Sequence, residues 1–98
     1  MFFLIVRQLD TESTEFYTNV EHIRIMVKDK EVWFSVFDDG CVDNYMTSFD
    51  EANISTSVFK NFSSAEEYAS DIRNKIYQAI NTNSATIVPV CRLYDAME

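Results

Sequence analysis

Apolar and polar residues alternate from His22 to Phe37, and this alternation predicts an antiparallel β-hairpin. If Asp29-Lys30 forms the turn, one face of the hairpin collects apolar side chains from both strands. A slip of one residue would move that apolar set to the other face, so the register is self-consistent. Lys28 then pairs with Glu31 beside the turn. The apolar face pairs Val27 with Val32, Ile25 with Phe34 and Ile23 with Val36, and the other face pairs Met26 with Trp33, Arg24 with Ser35 and His22 with Phe37.

Three further segments predict strands. Phe2 to Leu9 is a continuous apolar run, which is typical of a central strand covered on both faces. Cys41 to Phe49 is expected to return from the hairpin as a third strand. Thr86 to Tyr94 predicts a last strand, and Pro89 within it lacks a backbone donor, so this strand belongs at a sheet edge or carries a bulge.

The turn at residues 38–40 allows two registers. Its Asp-Gly pair favours a two-residue turn, which would place Asp43 opposite Val36 on the core face. A three-residue loop with Gly40 in the left-handed region would instead pair Val42 with Val36 and turn Asp43 outward. We predict the second register, because burying an unpaired carboxylate is costly.

A helix is predicted over residues 65–81. Ser64 is the expected N-cap, and Glu67 three residues later completes a capping box. Together these elements predict an α+β fold, a single domain over residues 1–98 with a mainly antiparallel sheet of about four to five strands and the helix on one face. The apolar positions that recur at helical spacing are Ala65, Tyr68, Ala69, Ile72, Ile76, Ala79 and Ile80.

Composition excludes several functions. With 8 basic and 16 acidic residues, the 98-residue chain carries a net charge of -8, so direct binding to a nucleic-acid backbone is not expected. One glycine in the whole chain excludes glycine-rich phosphate loops. The absence of a signal peptide or of a long apolar run predicts a cytoplasmic protein without membrane contact. Cys41 and Cys91 are then expected to stay reduced and to serve as packing residues.

Residues suited to catalysis are few. His22 is the single histidine and falls on a strand, where a structural role is the stronger interpretation. The acidic run at residues 38–44 lacks the ligand order of a calcium loop, since Met46 stands where the bidentate glutamate belongs. We therefore predict no enzymatic activity, no cofactor and no metal site.

Charge is distributed unevenly along the chain. Residues 31–71 hold nine acids and one base, Lys60, and so account for the whole net charge. The acids in the first turns of the helix are favoured by the helix dipole, whereas those of residues 38–51 have no such local explanation. The residues predicted to contact a basic partner are Asp38, Asp39, Asp43, Asp50, Glu51, Glu66, Glu67 and Asp71.

The face of the hairpin opposite the core carries aromatic residues. Such a face requires a cover, and either residues 10–20 or a second copy of the chain is expected to supply it. The residues predicted to mediate self-association into a homodimer are Trp33, Phe37, Met26 and Tyr45.

These features favour a small acidic protein that binds and blocks a basic, nucleic-acid-binding surface of another protein, with carboxylates in place of phosphates. In size and charge the chain resembles the small antirestriction and anti-CRISPR proteins of phages, and this resemblance implies a DNA-mimic inhibitor in the host cytoplasm. The alternative is a plain interaction module of the immunity or regulatory type that acts through the aromatic sheet face. A small enzyme is the third interpretation.

Overall fold

Two β-sheets and one α-helix enclose a shared apolar core in the structure, a computed structural model that describes residues 2–50 and 58–94. The elements are β1 (Phe3–Gln8), β2 (Ser13–Tyr17), β3 (Val20–Lys28), β4 (Glu31–Asp38), β5 (Cys41–Ser48), α1 (Ala65–Asn81), β6 (Ala85–Val90) and β7 (Arg92–Leu93). One sheet has the order β2-β1-β6 and the other the order β3-β4-β5-β7. The predicted α+β class is confirmed. The described residues form seven strands in two sheets, whereas the sequence predicted about four to five strands in one sheet.

The three-stranded sheet has β1 at its centre, as the apolar run predicted. Strand β1 pairs antiparallel with β2 and parallel with β6. The strand was predicted to be covered on both faces, but only one face is fully buried. Leu4 and Val6 are fully buried, whereas Arg7 on the opposite face is exposed. Pro89 lies in β6, the edge strand of this sheet, and the prediction of an edge position is confirmed.

The hairpin of β3 and β4 has the predicted register at every predicted pair. Its apolar column lies against the core, where Val32, Phe34 and Val36 are at most 1% exposed. A register shift between Val20 and His22 ends the regular pairing. The pattern was sufficient here because only one register buries the whole apolar set.

The turn between β4 and β5 contradicts the predicted three-residue loop. Asp39 and Gly40 both have positive φ, 55° and 85°, which is the conformation of a two-residue type I′ turn. Val36 consequently pairs with Asp43, and Asp43 lies on the core face. The expected penalty does not arise, because the Tyr17 hydroxyl donates a 2.6 Å hydrogen bond to Asp43 Oδ2.

Replacing Gly40 with alanine is expected to lower the free energy of unfolding by about 1 kcal/mol. The cause is the backbone alone, since a Cβ at this position would meet no atom within 4 Å. Urea denaturation measures the change. Asp39→Asn in the same turn is the matched control and should be neutral or stabilising, because asparagine suits the left-handed region. Unchanged stability of Gly40→Ala would contradict the turn assignment.

Helix α1 begins as predicted. Ser64 Oγ accepts a 3.1 Å hydrogen bond from the Glu67 amide. Glu67 reaches one residue further back than a capping box requires, and its Oε1 accepts from both the hydroxyl and the amide of Ser63. These hydrogen bonds lower the pKa of the Glu67 carboxyl. Ile80 departs from the prediction, because it is 47% exposed rather than buried.

Candidate functional site

The acids predicted to form one surface lie at two ends of the four-stranded sheet. Asp38 is the last residue of β4 and Asp39 lies in the turn before β5, whereas Asp50 follows the other end of β5. An eight-residue strand places its ends about 24 Å apart at ~3.4 Å per residue. The structure therefore provides two separate acidic ends.

Three of these acids have structural roles that the sequence did not reveal. Asp38 Oδ2 accepts a 3.1 Å hydrogen bond from the amide of Asn19, where the chain passes from β2 to β3. Asp39 takes the left-handed position of the turn, and Asp43 accepts from Tyr17. These three acids therefore have structural roles, and their contact with a basic partner stays a prediction.

The second acidic end combines Asp50 with the start of the helix. The ring of Phe49 lies 5.3 Å from that of Tyr68, so the first turn of α1 and the end of β5 are neighbours. Glu66 and Glu67 are exposed in that first turn. Glu51, which belongs to the same predicted set, lies outside the described residues. Asp71 is one turn further along and forms an ion pair with Lys75 at 3.4 Å.

Most of the described carboxylates form no ion pair. Thirteen of the sixteen acids lie within residues 2–50 and 58–94. The contact between Asp71 and Lys75 is the one ion pair formed within those ranges. The charge of the two acidic ends is therefore not neutralised by ion pairs among the described residues.

Asp43 lies next to a pair of buried tyrosines. The single hydroxyl proton of Tyr17 points to Asp43, so Tyr45 must be the donor in the hydrogen bond that joins the two hydroxyls. Burial raises the pKa of Tyr45 to about 12 and also raises the pKa of Tyr17, whose hydrogen bond to Asp43 acts in the same direction. Both phenols stay protonated at neutral pH, so they act as hydrogen-bond donors rather than as bases.

The remaining candidates for chemistry do not converge. His22 is exposed and packs against Phe37, with 5.3 Å between the ring centroids. Cys41 is also exposed, so its expected role as a packing residue is wrong, whereas Cys91 is half-buried and its pKa is raised by burial. Among the residues that the structure describes, no three metal-binding side chains are grouped, and no helix is long and apolar enough to span a bilayer.

The aromatic face of the four-stranded sheet carries three of the four residues predicted for self-association. Trp33 and Phe37 are half-buried and Met26 is 53% exposed on this face. Tyr45 is on the opposite side, 1% exposed in the core, because the turn before β5 is shorter than predicted. Self-association through the remaining three residues stays a prediction.

The cover expected from residues 10–20 comes from a different part of the chain. Residues 13–17 form β2 in the other sheet. Trp33 instead meets Tyr94, edge to face at 4.7 Å, and Arg92 stacks over Tyr94 at 5.4 Å. Tyr94 follows β7, a two-residue strand that the pattern of the last segment did not distinguish from the strand before it.

An apolar groove of about 500 Å³ separates the C-terminal half of α1 from β3. Its exposed wall on the helix consists of Tyr77 and Ile80, which are 61% and 47% accessible. Helical spacing placed Ile80 on the buried face, whereas the structure places it in the wall of this open groove. The groove is lined by the apolar residues Phe2, Val20, Ile23, Ile25, Ile76, Tyr77 and Ile80 and by the polar residues Glu21, His22 and Arg73.

Comparisons with known protein families, with curated proteins and with solved structures found no match for this chain.

Proposed function

We propose that this protein is a non-enzymatic inhibitor that occupies a basic, nucleic-acid-binding surface of another protein. The observation that carries the proposal is the single ion pair among the thirteen acids of the described residues. Unpaired carboxylates repel one another and reduce stability, so a surface rich in them indicates selection for something other than folding.

The spacing of the acidic ends also supports this proposal. Asp39 lies at one end and Asp50 with Glu66 at the other, about 24 Å apart along β5. DNA rises ~3.4 Å per base-pair step, so a protein groove that holds about seven steps presents basic side chains over a similar length. Each acidic end would replace the phosphates at one end of such a groove.

The plain interaction module remains the second candidate, and the half-buried Trp33 and Phe37 are its support. The two functions differ in their dependence on salt and on DNA. Binding through carboxylates weakens steeply with salt, because charges are screened beyond ~8 Å at physiological ionic strength. Binding through the aromatic face would depend little on salt and would leave DNA bound to the partner.

Neutralising exposed acids at the two acidic ends should prevent the protein from competing with DNA for its partner. The variant carries Asp39→Asn, Asp50→Asn and Glu66→Gln, which leave the hydrogen bonds of Asp38, Asp43 and Glu67 in place. DNA-cellulose is loaded with the DNA-binding proteins of a bacterial lysate and eluted with the wild type or the variant at low salt. We expect the wild type to release a bound protein at least about tenfold more efficiently than the variant.

The matched control removes three exposed acids from the hairpin of β1 and β2, as Asp10→Asn, Glu12→Gln and Glu15→Gln. It has the same net charge as the test variant and should release the partner almost as well as the wild type. If both variants released the partner equally poorly, competition with DNA would depend on total charge and not on the two acidic ends. Failure of the wild type to release any protein would contradict the proposed function.

A further inference from the structure

Strand β3 pairs on one side alone within the described residues. It is the longest strand, with nine residues from Val20 to Lys28, and it lies at the edge of the order β3-β4-β5-β7. Every second residue of such an edge directs its amide and carbonyl away from the sheet, ready to pair with another strand. Backbone groups over most of the length of β3 are therefore available for hydrogen bonding.

The apolar groove lies beside this same edge. Its floor is formed by Ile23 and Ile25, whose side chains point to the core face of β3 and are half-buried. A strand added to β3 would lie ~4.8 Å away, and every second side chain would enter the space between β3 and the exposed Tyr77 and Ile80 of α1. One extended segment could thus fill the groove and form hydrogen bonds with the free backbone groups of β3.

The outer face of β3 is basic in an otherwise acidic protein. His22, Arg24 and Lys28 are all exposed there, with Met26 between them. On β3 itself this face has no acidic residue between His22 and Lys28, and on β4 it carries Glu31 opposite Lys28. Residues directly opposite each other in a β-pair share a face, so the matching side chains of an added strand would face these bases.

We propose that β3 and the apolar groove bind an extended segment of a partner protein in which apolar residues alternate with acidic ones. The backbone of the segment extends the four-stranded sheet beyond β3. Its apolar side chains enter the groove against Ile25 and Ile80, and its carboxylates lie opposite Arg24 and Lys28. The Val20 end of this surface adjoins Asp38 and Asp39 of one acidic end, whereas Arg24 and Lys28 lie further along β3. The acidic occupant is a different protein from the basic one of the proposed function.

A second copy of the chain fits this edge less well. In an antiparallel pair related by a twofold axis, each residue of β3 faces a residue of the same face of the other β3. Because β3 has no acid on that face between His22 and Lys28, no such register places a carboxylate of the other β3 directly opposite Arg24 or Lys28. A strand from another protein can supply that charge.

The test uses a synthetic nine-residue peptide in which glutamate and valine alternate, N-methylated along one edge so that it cannot pair with itself. A peptide with lysine in place of glutamate is its counterpart. Fluorescence polarisation at physiological ionic strength measures both. We expect the glutamate peptide to bind about tenfold more tightly, which is opposite to the preference that a net charge of -8 would impose.

Reversing the local charge should reverse the preference. The variant Arg24→Glu with Lys28→Glu is expected to bind the lysine peptide more tightly. The control Arg7→Glu with Lys60→Glu has the same net charge, changes two exposed positions elsewhere and should retain the preference of the wild type. Ile80→Asp should weaken both peptides, because it places a charge in the groove.

Amide shifts measured by NMR identify the strand that binds the peptide. Shifts along β3 support the proposal, whereas shifts confined to β2 or β7 overturn it. The proposal is also overturned if Arg24→Glu with Lys28→Glu leaves the preference unchanged. It is overturned as well if neither peptide binds the wild type. A wild-type dimer in analytical ultracentrifugation that the same variant dissociates also overturns it, because a second copy would then hold the edge.

Discussion

Tyr68→Ala is expected to lower the free energy of unfolding by about 3–5 kcal/mol, a large part of the stability of a domain this size. The side chain is fully buried, at 0% exposure. It is the centre of an aromatic cluster in which the rings of Phe49, Phe59 and Phe62 lie 5.3–5.8 Å from their neighbours. Truncation would leave a cavity that three rings cannot close by small movements.

The hydroxyl group of Tyr68 can be tested separately. It donates a 2.5 Å hydrogen bond to the carbonyl of Pro89 and lies 3.3 Å from Thr47 Oγ1, so it connects α1 to both sheets. Tyr68→Phe should cost about 1–2 kcal/mol, the price of a buried carbonyl that loses its donor. Comparing Tyr68→Ala with Tyr68→Phe shows how much of the lost free energy of unfolding comes from ring packing and how much from hydrogen bonding.

Urea denaturation measures both variants, and Tyr77→Ala is the matched control. Tyr77 lies on the same helix but is 61% exposed, so its truncation should change stability by no more than about 0.5 kcal/mol. Similar losses for Tyr68→Ala and Tyr77→Ala would contradict the position of the core that the structure gives.

Local patterns predicted the elements well wherever one face had to be buried. The β3–β4 register followed from the position of its apolar set, and the helix start followed from Ser64 and Glu67. The division into two sheets was not predictable in this way. It depends on changes of direction at Thr18 and Cys91, and neither residue carries a distinctive signal.

The β4–β5 turn shows why a local argument failed. Asp-Gly favours the observed two-residue turn, but the cost of burying Asp43 argued against it. The group that removes this cost, the Tyr17 hydroxyl, is 26 residues away and belongs to the other sheet. Long-range polar partners of this kind cannot be predicted from the spacing of residues. The wrong turn length also placed Tyr45 on the aromatic face, although it lies in the core.

The acidic surface was predictable as a composition but not as a shape. The count of acids indicated a charged surface, whereas the strand length separates Asp39 from Asp50. The groove depended on Ile80, whose helical phase matches the buried face although its side chain is 47% exposed. The extent of a sheet relative to a helix is a tertiary property, so neither feature could be placed from the sequence.

Alkaline pH is expected to unfold the protein between pH 10 and 12. Burial raises the pKa of Tyr45 from 10.0 to about 12, and the folded state therefore retains a proton that the unfolded state loses above pH 10. Stability from a raised pKa is fully present below the unfolded value and is lost as pH rises toward the folded value. For Tyr45 alone this loss amounts to about 3 kcal/mol. Tyr17 adds to it, because desolvation and the hydrogen bond to Asp43 raise its pKa as well.

Tyr45→Phe separates this effect from general alkaline damage. Phenylalanine keeps the ring that packs against Phe34 at 6.3 Å but has no proton to lose, so the dependence of stability on pH should become shallower above pH 10. Circular dichroism follows unfolding, and tyrosinate absorbance follows ionisation in the same sample. In the wild type the buried phenols should ionise together with the loss of structure. Tyrosinate formation that is complete while the sheets remain folded would show that Tyr17, Tyr45 and Asp43 do not form the buried chain of hydrogen bonds from which the prediction derives.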